Sequence, residues 1–187
     1  ECVGIEPSIK FSNFVSSKGI PCFKSLDDLL SSEEAGRGFD LIMHFFVADQ
    51  TSNPILFINQ QIPLMREGGK IIFELNSTDD ALLSVYNLDA FNEFFWPVSE
   101  NYYFSFDSFT YMMKKFSLPY EIILDQRYDL SNHLTWAIEG KPGGMGRFTK
   151  LFGSELEEHY RRALIQSKHC DTLIGILKNN RVTHADE

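Results

Sequence analysis

Residues 39–76, FDLIMHFFVADQTSNPILFINQQIPLMREGGKIIFELN, read as a strand, a helix and a second strand. Phe39-Asp40-Leu41-Ile42-Met43 opens an apolar run that continues through Phe45, Phe46 and Val47. A run without polar alternation suits a strand buried on both faces, as parallel strands are. Asn53-Pro54 marks a helix start, since Asn caps and Pro fits the first helical position. Pro63 breaks that helix late, because proline removes an intrahelical hydrogen bond. Glu67-Gly68-Gly69 is then the expected stop, and Lys70 to Leu75 the next strand. Strand, crossover helix and strand make a βαβ unit, which implies a mostly parallel sheet.

Working outward, Cys2 to Glu6 predicts a short strand, and Ser8 a cap for a helix from Ile9 to Ser17. A second strand is expected from Ile20 to Lys24. Ser25-Leu26-Asp27-Asp28 then starts a helix with acids at its positive end, and 31–38 reads as a loop. Beyond Asn76, residues 77–105 are rich in aromatics. Asp107 is the expected cap of a helix that puts Phe109, Met112, Met113 and Phe116 on one face. Tyr120 to Gln126 is a strand, and 127–146 is largely loop, with one turn around 132–138. Ser154-Glu155-Leu156-Glu157 has the capping-box pattern, followed by Glu157 and Glu158 four residues before Arg161 and Arg162. Thr172 to Leu177 is the last strand. The expected organisation is one domain over 1–178 and a polar tail over 179–187.

Bulk properties narrow the function. The chain has 187 residues, enough for a substantial core. It carries 17 basic and 26 acidic residues, a formal charge of −9, which argues against a nucleic-acid partner. Cys2, Cys22 and Cys170 form no C-x-x-C pair, so no metal or disulfide framework is expected, and the setting is a reducing cytoplasm. No apolar run approaches the roughly 20 residues of a membrane helix.

The FDLI stretch, a proline-opened helix and GGKIIFELN together resemble the fourth and fifth strands of class I S-adenosylmethionine-dependent methyltransferases. Val3-Gly4-Ile5-Glu6-Pro7-Ser8 resembles that fold's second strand, which ends in an acid. QRYDLSNHLTWAIEGKPGG (126–144) and Cys170-Asp171-Thr172-Leu173 resemble a bacterial subgroup linked to sugar and cell-surface polysaccharide pathways. The implied fold is α/β, a Rossmann-like sheet flanked by helices, with Thr172 to Leu177 antiparallel beside strand 120–126 or inserted next to it. The resemblance starts at the second strand. The first strand, first helix and glycine-rich cofactor turn have no counterpart, so truncation is expected, with 1–187 alone transferring no methyl group. Its unpaired strands would then invite a homodimer.

The implied activity is methyl transfer from S-adenosylmethionine to a small-molecule acceptor, a sugar or polysaccharide precursor. Glu6, at a strand's carboxyl end, suits the ribose hydroxyls; the bland reading is a surface acid before a helix. Ser25 and Leu26 would border the adenine, a role compatible with helix capping. His44, Phe45 and Phe46 would underlie the methionine part, or be plain core. Segments 77–105 and 127–146 would form an acceptor lid, with Asn76, Glu100, Tyr128 and Asn132 on the acceptor side. His133 is the candidate base, because an imidazole titrates near neutral pH, and its alternative is to pin the loop 127–146. Rival functions are a non-catalytic scaffold on a degenerate methyltransferase fold and a nicotinamide-dependent enzyme.

Overall fold

A computed structural model describes residues 2–180. The tail expected over 179–187 therefore lies outside the described residues from 181 onward. Elements run β1 (Gly4–Ile5), α1 (Ile9–Ser17), β2 (Cys22–Phe23), α2 (Leu26–Leu30), α3 (Glu33–Arg37) and β3 (Phe39–Phe45). Then come α4 (Pro54–Gln61), β4 (Met65–Asn76), α5 (Ala81–Ser84), α6 (Asp89–Phe95), α7 (Phe106–Met113) and β5 (Tyr120–Asp125). The chain continues through α8 (Leu130–Glu139), α9 (Thr149–Phe152), α10 (Ser154–Ser167) and β6 (Thr172–Lys178).

The βαβ unit forms as the sequence implies. β3 and β4 pair in parallel with α4 between them. Asn53 caps α4 by accepting from the Leu56 N–H at 2.9 Å, with Pro54 at the first position. β6 inserts between β4 and β5, antiparallel to both, so the main sheet runs β3-β4-β6-β5. β1 and β2 pair in parallel as a separate two-stranded sheet.

One face of the main sheet carries the core. Ile71, Phe73, Leu75, Leu173 and Leu177 pack there with Ile58 of α4 and with Phe109, Met112 and Met113 of α7. Each such side chain contributes roughly 1.5–3 kcal/mol when fully buried, which is why the apolar stripe of α7 lies on the sheet. Its N-terminus is held by a reciprocal Ser105–Ser108 capping box, not by Asp107, which sits in the first turn.

Several local expectations are corrected. β3 is not buried on both faces. Ile42 faces the core, whereas Leu41, Met43 and Phe45, turned to the other face by strand alternation, are 45%, 56% and 48% exposed. The helix α4 does end just before Pro63, as expected of a proline break, but Gly68-Gly69 is no helix stop: it lies inside β4, where the β3–β4 register shifts between Phe39 and Leu41. A Cβ on Gly69 would sit 2.8 Å from Arg66 O and 2.9 Å from Phe39 O, so only glycine fits that approach. Residues 33–37 are helical, not loop: Glu33 and Glu34 occupy the first turn and Arg37 the last, matching the dipole. The segment 130–139 is a full helix, closed by Asp129 accepting from Asn132 N–H and by Gly140 in the left-handed conformation. Glu157 makes no capping box; its carboxylate instead accepts from Leu130 N–H at 2.8 Å and Ser131 O–H at 2.7 Å. That ties α10 to the start of α8. Glu158 pairs with Arg162 as expected, but Arg161 turns to Asp125 and Gln126 O.

Among the described residues no helix is long and apolar enough to cross a membrane.

Candidate active site

A cavity of about 530 Å³ opens at the carboxyl ends of β3, β4 and β5, beside the start of antiparallel β6. Open α/β sheets bind ligands at this edge. A smaller cleft of about 280 Å³ lies at the opposite edge, around Asp40 and Arg66.

Five of the residues singled out in the sequence line the larger cavity: Phe46, Asn76, Glu100, Tyr128 and Asn132. Phe46 follows β3 with φ of 54°, a left-handed backbone that costs a non-glycine residue on the order of 1–3 kcal/mol. Its N–H still reaches Glu74 O at 2.9 Å, and its ring lies 4.9 Å under the Arg127 guanidinium. Arg127 is in turn ion-paired with Glu74 of β4. Asn76 ends β4 and lies with Glu100 on the cavity wall. Burial and the nearby Asp49 charge raise the Glu100 pKa. Asn132, on the first turn of α8, donates from Nδ2 to Gly143 O at 2.7 Å.

The structure does not bring the other predicted residues to the cavity. His44 points into the core side of β3, stacked on Phe73 at 5.3 Å and edge-on to Phe57 at 5.1 Å. Neither ring nitrogen has a hydrogen bond, and burial lowers its pKa to about 4. Phe45 takes the opposite, exposed face by simple strand alternation. Glu6, Ser25 and Leu26 belong to the β1–β2 unit, at the carboxyl ends of its strands. Ser25 caps α2 through Asp28 N–H at 3.1 Å. Glu6 Oε1 accepts from Ser8 N–H at 2.7 Å, so Glu6 rather than the Ser8 hydroxyl closes that turn.

His133 is likewise set behind the cavity. Its Nδ1 is 2.7 Å from the Tyr160 hydroxyl and its Nε2 3.2 Å from the Gln126 amide nitrogen. Burial lowers its pKa to about 4 despite the pull of Asp129, so the ring is neutral at neutral pH. It couples α8 to α10 and to Gln126, just after β5.

Two further carboxylates, Asp80 and Asp171, line the cavity without a site role suggested by the sequence. Asp80 caps α5, with Oδ1 accepting from Leu82 N–H at 2.7 Å, and it is only 3% exposed. Burial, with a smaller contribution from the Asp171 charge, pushes its pKa up to about 7. Asp171 gathers donors from Arg127 N, Tyr128 N, the Gln126 amide and the Thr172 hydroxyl at 2.7–3.0 Å. It thereby fixes the turn after β5 against the start of β6. The available signals were positional: Asp79-Asp80 follows a strand's carboxyl end, and Asp171 precedes an apolar run. Asp79 Oδ2 accepts from Phe106 N–H at 2.6 Å and so anchors α7 beside the cavity.

No protein-family model matches the chain, and no curated protein matches it by sequence. Solved structures do. A SAM-dependent methyltransferase from Thermotoga maritima, described as a possible histamine N-methyltransferase, superposes with a TM-score of 0.57 at 15% identity, over 95% of this chain and 72% of that one. The plantazolicin methyltransferase BpumL, solved with a triazolic desmethylPZN analog and SAH, gives 0.55 at 18% identity, covering 97% and 68%. YcgJ from Bacillus subtilis gives 0.51 at 18% identity, covering 95% and 82%. The likeness is one of fold: the chain has the Rossmann-like α/β architecture of class I methyltransferases.

Proposed function

We propose that the protein transfers a methyl group from S-adenosylmethionine to a small-molecule acceptor held in the 530 Å³ cavity. The observation that carries this reading is the cavity's place, at the carboxyl edge of a sheet in which antiparallel β6 separates β4 from β5. SAH in the solved BpumL complex supports the same cofactor class here.

The residues present fit the nucleoside end of such a cofactor. Glu6 Oε1 is engaged by its own turn, while Oε2 accepts nothing from the described residues and is free for ribose hydroxyls. Ser25 and Leu26 begin α2 at the end of the neighbouring strand, suited to the edge of the adenine. When bound, S-adenosylmethionine supplies a methyl activated by its sulfonium. The chain's own part is positioning. Phe46 and the Arg127–Glu74 pair form the floor where cofactor and acceptor meet, and the segments around α6 and α8 wall off water. Holding two reacting groups in line is worth effective molarities of roughly 10⁵–10⁸ M in model systems. A sugar acceptor, which the sequence resemblance suggests, would have to find its partners among the polar groups described below.

Titration calorimetry of the full-length protein tests the reading. Micromolar binding of S-adenosylmethionine or SAH, its demethylated product, is expected. Glu6→Ala should weaken it at least about tenfold, since hydrogen bonds to a charged group contribute about 1.5–3 kcal/mol each. Binding of a nicotinamide dinucleotide with no heat from either nucleoside would overturn it.

A further inference from the structure

Three side chains on the cavity, Asn132, Asp80 and Glu100, offer acceptors that the protein itself leaves unfilled or weakly met. Asn132 is 2% exposed, and with Nδ2 fixed on Gly143 O its Oδ1 is buried without a donor. Asp80 uses Oδ1 on Leu82 N–H, and no described donor reaches Oδ2. Glu100 adds a third acceptor group on the same wall, beside Asn76. Arg127, on the same surface, pairs its charge with Glu74 and stacks on the Phe46 ring. Asp171 is fully occupied by its own turn.

The rest of the wall is aromatic. Trp136 meets Phe91 edge-on at 5.0 Å and Phe94 at 5.1 Å. Phe91 and Trp136 are buried, while Phe94, 57% exposed, stands at the mouth. Aromatic faces attract cations, by about 0.5–2 kcal/mol depending on desolvation. An ammonium also carries only donors. A carboxylate would face the like charges of Glu100 and Asp171, whereas a cation meets both these carboxylates and the aromatic faces.

We propose that the cavity takes a primary or secondary amine carried on an aromatic or apolar body, with the nitrogen directed at Asp80, Asn132 and Glu100. This deepens the methyl-transfer reading and rests on it for the reaction. Asp80 takes one proton from the ammonium and so frees the nitrogen lone pair. A nitrogen–carbon bond then forms as the methyl–sulfur bond breaks, its electron pair returning to sulfur, and the methylated ammonium later loses its proton to solvent. The raised pKa of Asp80 suits a group that must hold that proton near neutral pH.

The test uses four probes on the full-length protein: 2-phenylethylamine, 2-phenylethanol, 3-phenylpropionate and methyl glucoside. Trp136 fluorescence in a Trp96→Phe background reads the binding. The amine should bind at least about tenfold more tightly than each of the others. Asp80→Asn and Glu100→Gln, each confirmed folded by circular dichroism, should each weaken the amine at least about fivefold and leave the alcohol unchanged. Equal or tighter binding of the alcohol, acid or glucoside, no effect of either variant, or no binding of any probe overturns the proposal. SAH titrated into the same samples separates the two readings. SAH binding without amine preference sinks the amine and spares methyl transfer; amine preference without SAH binding does the reverse.

Discussion

Asp80→Asn should change how stability depends on pH. In the folded protein the Asp80 carboxyl is 3% exposed, and its pKa is pushed from 3.8 to about 7 by burial, with Asp171 adding to the rise. The folded state therefore keeps a proton that the unfolded chain releases above pH 3.8. Between those two values the folded state binds more protons, so stability from this group falls as pH rises. It is fully present below about pH 4 and lost by pH 7. A shift of about three units corresponds to about 4 kcal/mol at most. His44 and His133 act in the opposite sense: both are lowered to about 4, so their contribution is absent below that and grows toward pH 6.5. The wild-type curve is thus a composite, and the difference between wild type and Asp80→Asn isolates the carboxyl. Asn retains the capping acceptor for Leu82 N–H, so the variant should fold. Urea unfolding of both proteins from pH 4 to 8 should show the wild-type advantage shrinking by about 2–4 kcal/mol across that range. Parallel curves would refute the reasoning, because Asp80 would then ionise as an ordinary surface acid.

His133→Ala should lower stability by about 1–3 kcal/mol through the unpaired Tyr160 and Gln126 groups. Acceptor affinity should fall with it; unchanged melting with turnover reduced a thousandfold would instead make the ring a base. Gly175→Ala puts a Cβ 2.5 Å from Phe73 Cζ, and that ring is held by His44 and Phe109. A loss of about 1–3 kcal/mol is expected in denaturant titration, partly recovered by adding Phe73→Leu.

The sequence was most legible where local chemistry and sheet position agreed. Asn53-Pro54 opening α4 and the apolar strands around it needed only capping and periodicity. Phe46, Asn76, Glu100, Tyr128 and Asn132 share one cavity because each lies in or near a segment leaving the sheet's carboxyl edge. The run His44-Phe45-Phe46 shows the limit. Alternation sends the first two to opposite faces, and only the left-handed turn at Phe46 aims the third at the cavity. Gly68-Gly69 looked like a helix stop because a close backbone approach from β3 leaves no local trace. For α8 the sequence suggests no more than one turn around 132–138, because the glycines that follow mask Asp129 and Gly140 as its two caps. Nothing local marks Asp80 and Asp171 as buried, since the groups that Asp171 meets, at Gln126 to Tyr128, lie far away in the chain.

Amide hydrogen exchange with and without saturating SAH bears most directly on where the cofactor binds. Binding at the carboxyl edge should slow exchange around Glu6, Ser25 to Leu26 and Phe46, and leave the cleft at Asp40 and Arg66 unchanged. No protection anywhere, or protection confined to that opposite cleft, would contradict a methyl-transfer site in this cavity.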